Sequence, residues 1–459
     1  MASVCEFLNR LVWGPGLVAL MLGVGLFLSV RTGFAQLTLF PAALRRFFAA
    51  LREPEDGEGE PPLRALCTAL AATVGTGNLI GVAGAIALGG PGAIFWMWVC
   101  GFVGMATKFA EATLAIHYRD KAGGEYLGGP MYMIRNGLGH RWHFLGTLYC
   151  FFGIFAAFGV GNATQINAVV AGLEQVLTGF GVEPAAWTDL VLGLVLAALV
   201  GAVLLGGAKR IGAAAEVLVP FASMAYLLLA LGVLVLRLDA VPGAFAAIFR
   251  GAFDPGAVTG GMVGSFFAGL RTGVSRGVFT NEAGMGTASI AHAAARVDHP
   301  ARQGLMGIME VFLDTIVICT MTALVILCSG VPIPYGTDAG GSLTVDAFSA
   351  VYGPWVKLLL AGAVCCFAFA TVLGWGLYGA RCAQYLLGAG AFRPFAWLQT
   401  AAVILGAVLD TKVIWSLAEA VNGLMTVPNL IALVMLSPTL SRLTKEYKLM
   451  RPPGRRRYI

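Results

Sequence analysis

Two stretches of the 459-residue chain interleave glycine with small polar side chains in otherwise apolar sequence. The first, CTALAATVGTGNLIGVAGAIALGG, holds Gly75, Gly77, Gly81 and Gly84, with Thr73, Thr76 and Asn78 among them. The second, VTGGMVGSFFAGLRTGVSRG, holds Gly260, Gly261, Gly264, Gly269, Gly273 and Gly277. Each glycine weakens a helix by about 1 kcal/mol relative to alanine. A helix unwound inside a bilayer exposes N–H and C=O groups at a cost of several kcal/mol each, unless a ligand satisfies them. The chemistry such a break offers is ion binding. Half-helix N-termini hold a carboxylate, and freed carbonyls coordinate a hard cation such as Na+. Close helix packing is the second reading of the same glycines. In the first stretch the hydroxyl and amide groups between the glycines favour the ligand.

Other polar groups sit in apolar surroundings. The run FAAFGVGNATQINAVV carries Asn162, Gln165 and Asn167. Buried amides need partners, either a substrate amine or a neighbouring helix. Gln165 is the candidate for substrate, with packing as its alternative. Phe266, Phe267 and Trp375 either wall a pocket or simply pack. Lys108 and Glu111, three apart, read as a local ion pair. Arg271, inside the second glycine stretch, is expected to pair with Glu310 or Asp314 as a gate, with direct substrate contact as the alternative. Glu282 lies beyond that stretch and reads as a linker-helix cap or an inner gate. Glu216 and Glu419 serve proton coupling or packing.

Catalysis finds no support in the motifs. Neither H-E-x-x-H nor a nucleotide-binding loop occurs, and all five histidines fall outside the apolar segments or at their very ends. Nine cysteines without a C-x-x-C pair read as small buried hydrophobes rather than a disulfide framework or metal site.

The elements that must position these groups are membrane helices. With 58% hydrophobic and 12% charged residues, the chain needs a bilayer as solvent. A span takes about 20 apolar residues, and eleven candidates occur: 13–30, 66–89, 91–117, 143–177, 187–206, 213–236, 258–279, 304–329, 353–388, 394–410 and 412–437. The segments 31–64, 118–142, 208–212, 276–303, 381–393 and 442–459 hold 23 of the 30 Lys and Arg residues. The positive-inside rule makes that side cytoplasmic, the N-terminus extracytoplasmic and the C-terminus cytoplasmic. The expected organisation is an extra helix and linker (1–64), a first five-helix repeat (65–257), a second of inverted topology (258–440) and a basic tail (441–459). Corresponding glycine-rich helices at the start of two inverted halves point to a transporter site. A channel is the rival reading.

The run TALAATVGTGNLIGVAGAIALGGPGAIFWMW, the later YLGGPMYMI, and GVSRGVFTNEAGMGTASIAHAAA resemble the alanine/glycine:cation symporter family over nearly the whole chain. The resemblance implies an all-α polytopic protein of the leucine-transporter fold, in an inner membrane, importing alanine or glycine with sodium. Carried over by position, the N–H groups of Thr76 and Gly77 take the substrate carboxylate. Gln165, Phe267 and Trp375 line the pocket. Asn78 and the Thr73 carbonyl meet one sodium; the carbonyls of Ala71 and Val74 and the Thr371 hydroxyl meet a second. The chain departs from the family pattern at Ala268, Ala370, Gly376 and Ala380, each lacking a polar group usual there. A proton-coupled carrier of another small zwitterion is the alternative.

Overall fold

The computed structural model describes residues 12–53, 57–179, 181–185, 187–261, 265–337, 340–409 and 412–450. The basic stretch 451–459 and Gly264 lie outside them. Apolar runs of 16 or more residues become helices because every backbone polar group must be satisfied within the segment. The first is α1 (Pro15–Arg31), followed by the amphipathic α2 (Phe40–Ala50). The first glycine-rich stretch forms α3 (Pro62–Thr73), a π-type turn at Gly77–Gly81, and α4 (Val82–Gly89). Its two arms are bent by 54°. Next come α5 (Ala93–His117), a hairpin of β1 (Asp120–Ala122) and β2 (Glu125–Leu127), and α6 (Pro130–Gly137). A long span follows as α7 (His143–Phe158), a π-type turn at Gly159–Ala163, and α8 (Thr164–Gly179). The first half closes with α9 (Thr188–Leu204), α10 (Ala208–Leu236) and α11 (Val241–Phe253).

The second half opens with the short α12 (Pro255–Thr259), then α13 (Phe266–Asn281) and α14 (Thr287–His292). A third interrupted span comprises α15 (Pro300–Val311), a π-type stretch at Phe312–Cys319, and α16 (Thr320–Cys328). After α17 (Ser342–Tyr352) come α18 (Val356–Leu387), α19 (Phe392–Val408), α20 (Lys412–Met435) and α21 (Ser437–Leu449). Each expected span coincides with a helix or broken helix. Among the described residues seven helices are long and apolar enough to cross a membrane, and the bent α3–α4 pair makes eight. α1 and α9 are shorter apolar helices.

The packing brings α3 and α4 to the centre. α18 lies against α3 closely enough that a Cβ on Gly374 would stand 3.0 Å from the Ala72 nitrogen. α13 and α15 both pack along α5; a Cβ on Gly273 would meet the Ala93 carbonyl at 2.2 Å, and one on Gly307 the Lys108 carbonyl at 2.7 Å. The glycines here are the contact surface itself. The chain before α3 clasps this group from outside: Phe40 stacks edge-on against Phe312 with ring centroids 5.0 Å apart.

Candidate functional site

The helix at the first glycine stretch breaks at Val74, whose ψ of 100° is extended. The Gly75 N–H then turns away from the helix and donates to Asn78 Oδ1 at 2.9 Å. In a continuous helix that N–H would serve the Ala71 carbonyl, so the break frees the Ala71 oxygen. Asn78 is fully buried and its amide donates to Asp314 Oδ1 at 2.7 Å. Thr76 Oγ1 meets Gln165 Oε1 at 3.1 Å. A Cβ on Gly75 would lie 2.8 Å from Thr371 Oγ1 and 3.9 Å from Gln165 Oε1. The structure thus brings Gly75, Thr76, Gln165 and Thr371 into one cluster, with Ala71, Thr73, Val74, Gly77 and Asn78 supplied by the broken helix. Thr371 also returns a bond to the Phe367 carbonyl at 3.0 Å, which fixes its hydroxyl on α18.

The second break differs from the expectation. The described part of the second glycine stretch is continuous helix from Phe266 to Asn281, and Gly260 and Gly261, at φ of +64° and +85°, precede it. A further break falls at 282–286, where Glu282, Gly284 and Gly286 all take positive φ. This segment is buried: Glu282 is 3% exposed and Met285 0%. Its freed N–H groups converge on Glu111 Oε1, which accepts from Gly284 and Gly286 at 3.0 Å each and from Asn429 Nδ2 at 2.7 Å. The two breaks are neighbours, since Gly77 sits against Thr280 and Phe279. They are also joined through polar groups: Asp314 Oδ2 accepts from Thr315, and Thr315 Oγ1 accepts from Asn281 Nδ2 at 3.2 Å.

Several charge assignments are corrected. Lys108 pairs with Glu310 on α15 at 2.7 Å, not with Glu111. Helix spacing puts Lys108 and Glu111 on one face, but that face meets α15, whose buried carboxylate competes. His292 lies between Glu310 (3.0 Å) and Gln303 (2.7 Å). Arg271 therefore pairs with neither Glu310 nor Asp314; it is exposed, and both acids are buried with other partners. Phe267 is also apart from the cluster. It is 75% exposed, packed on Phe266, and 12 residues before Phe279, or about 18 Å along the helix axis. Trp375 is 1% exposed and packs on Gly161, where a Cβ would stand 2.2 Å from its own. Its Nε1 donates to Glu282 Oε1 at 3.1 Å, while Thr287 donates to Glu282 Oε2 at 2.6 Å. Glu216 holds Arg64 at 2.7 Å, a surface pair between α10 and α3. Asn162 finds a neighbouring helix, donating to the Gln399 carbonyl at 2.8 Å.

Asp314, Thr315, Asn281 and Glu111 are site-supporting residues whose arrangement depends on which helices face one another. The signal for the acids was their presence in apolar spans. Phe279 also faces a cavity of ≈ 320 Å³ lined by Trp13, Arg271, Ser275, Arg276 and Glu419.

The fold is that of a known class of carrier. The solved structure of MhsT in complex with L-phenylalanine matches with a TM-score of 0.56 at 13% identity, covering 84% of this chain and 98% of that one. MhsT has the leucine-transporter fold. The chain is 44% identical to the sodium/alanine symporter AgcS of Methanococcus maripaludis over 98% of each. It is 37% identical to the amino-acid carrier protein AlsT of Bacillus subtilis, covering 98% of this chain and 94% of AlsT. A family model, the sodium:alanine symporter family, matches residues 1–458. A broken helix with converging hydroxyl, amide and carboxylate groups, inside this fold and with these relatives, identifies the chain as a member of the sodium:alanine symporter family.

Proposed function

We propose that this multi-pass membrane protein imports alanine or glycine together with sodium by alternating access. The observation that carries the proposal is the break at Val74–Thr76, around which polar groups of four separate spans converge. The family and the names of its relatives AgcS and AlsT support sodium and a small amino acid as cargo.

The N–H groups of Thr76 and Gly77 take the substrate carboxylate, and Gln165, held by Thr76, orients toward the ammonium group. Asn78 Oδ1 has a lone pair beyond the one given to Gly75, and with the Thr73 carbonyl it receives one sodium. The Asp314 carboxylate beside it adds negative charge, which strengthens a hard-cation site. The carbonyls of Ala71 and Val74 with the Thr371 hydroxyl form the second site. Eleven spans, an extra one (1–64) and two inverted sets of five (65–257 and 258–440), give alternating access, with the basic loops and residues 441–459 cytoplasmic. One charge moved through 100 mV contributes about 2.3 kcal/mol, and the sodium gradient adds to it.

Counterflow of radiolabelled alanine in proteoliposomes, in sodium and in choline buffer, tests this reading. Exchange in sodium alone is expected, and Asn78→Ala should abolish it while the protein still folds. Sodium-independent exchange, or normal sodium dependence in the Asn78 variant, overturns the assignment.

A further inference from the structure

In the proposed topology the ≈ 320 Å³ cavity, bordered by Trp13 before α1 and Leu88 at the end of α4, lies toward the extracytoplasmic side, and it ends at Phe279, one residue's thickness from Gly77 at the first break. Its volume is well beyond the roughly 15 Å³ that one water molecule requires. Two guanidinium groups, Arg271 and Arg276, share it with the carboxylate of Glu419 and the hydroxyl of Ser275. Intramembrane charge of this kind is costly unless water or a ligand meets it. Arg276 and Glu419 already interact within the protein. Arg271 is exposed into the cavity, and no ion pair of its own occurs among the described residues. The wall is built by the extra helix. Trp13 Nε1 donates to the Glu419 carbonyl at 2.8 Å, and a Cβ on Gly423 would lie 2.4 Å from Val12, so this end of α1 is pinned to α20.

We propose that this cavity is an outer binding site for the carboxylate of an incoming amino-acid zwitterion, with Arg271 as the group that receives it and Phe279 as the partition from the central site. Arginine suits the role because its planar fork binds a carboxylate through two parallel bonds. Occupancy here raises the local concentration of substrate beside the break. Arg271 is then a specificity residue for entry, separate from the sodium-binding group. The inference rests on the transport reading above, and its failure is separable from that reading's.

Initial rates of sodium-driven alanine uptake are measured over a range of alanine concentrations for the unaltered protein, Arg271→Gln and Arg271→Lys. Loss of one partly hydrated carboxylate contact predicts a rise in KM of about fivefold for Arg271→Gln, with kcat and sodium dependence retained. Arg271→Lys keeps the charge and loses the fork, so its KM should fall between the two. The exposed side chain makes both variants compatible with folding, and sodium-dependent uptake in each confirms it. A KM within twofold of the unaltered protein overturns the outer site. Full restoration by lysine also overturns it, since charge alone would then be steering substrate. A fall in kcat with unchanged KM does the same. Absence of sodium-driven uptake in the unaltered protein overturns the transport reading, and the outer site with it.

Discussion

Asn78 uses both ends of its amide, one to hold the Gly75 N–H and one to reach Asp314. That single side chain stabilises a break in lipid by replacing a lost helix bond, so sequence, local structure and ligand geometry meet at one residue. Gly75 beside it has no room for a side chain. Gly75→Ala would put a methyl group 2.8 Å from Thr371 Oγ1, so that this hydroxyl must turn away from the break. Gly81, on the same stretch, has nothing within 4 Å of a Cβ. Gly75→Ala is therefore expected to lower sodium-dependent uptake at least about tenfold, a geometric loss of roughly 1.4 kcal/mol or more, whereas Gly81→Ala retains uptake. Equal activity of the two variants would remove the close approach of Thr371 from the site. Thr76 and Gln165 could be singled out in the sequence as polar groups in apolar spans, which need partners, and here they meet; Thr371, which donates to the Phe367 carbonyl, was indicated by the family resemblance alone. The place of Phe267 was not legible, because helical periodicity carries no information about which end of a helix faces the cavity. Arg271 was read as pairing with Glu310 or Asp314 from charge alone, whereas Lys108 of α5 takes Glu310 and Asn78 of the first break takes Asp314.

At the level of elements, the helices were legible from hydropathy, whereas the buried break at 282–286 was not. Glycine content pointed to the stretch 258–277, where Gly260 and Gly261 also take positive φ, and the segment at 282–286 lies beyond it. The difference is physical. Glycines along α13 serve as contact surface against α4 and α5, as at Gly273, and leave the helix intact. The break at 282–286 combines glycines at positive φ, Gly284 and Gly286, with an acceptor on another helix. Glu111 supplies that acceptor through Oε1 alone; its Oε2 has no hydrogen-bond partner among the described residues. Glutamine preserves one carbonyl oxygen in the same place. Glu111→Gln should unfold within a few degrees of the unaltered protein in detergent. Glu111→Ala leaves the Gly284, Gly286 and Asn429 donors unmet, a loss of about 3 kcal/mol or more. Thermal denaturation followed by helical circular dichroism separates them, and similar melting of both would mean that Glu111 does not hold the segment.

Across the whole molecule, the polar bonds sort the helices into two groups. Lys108, Glu310 and His292 tie α5, α15 and α14 together, and Asn78 with Asp314 adds the first break to them. Asn162 donates to the Gln399 carbonyl and Gln399 Nε2 to the Ala157 carbonyl, which ties the span of α7 and α8 to α19. Between the groups, Trp375 of α18 reaches Glu282. The proposed rocking of one group against the other requires this bond to part when the cytoplasmic side opens. Trp375→Phe removes the Nε1 donor while keeping a Cβ and ring against Gly161. A buried carboxylate oxygen then loses a charge-assisted partner worth about 1.5–3 kcal/mol, so the cytoplasm-open population should rise by about tenfold or more. Cys67 of α3, 2% exposed in the closed arrangement, reports on that opening. With the other cysteines replaced, maleimide labelling of Cys67 from the cytoplasmic side should accelerate by that factor in Trp375→Phe. Sodium with alanine should modulate labelling in both proteins. An unchanged labelling rate would place the inner closure elsewhere, with the Arg64–Glu216 pair as the remaining tie between α3 and α10.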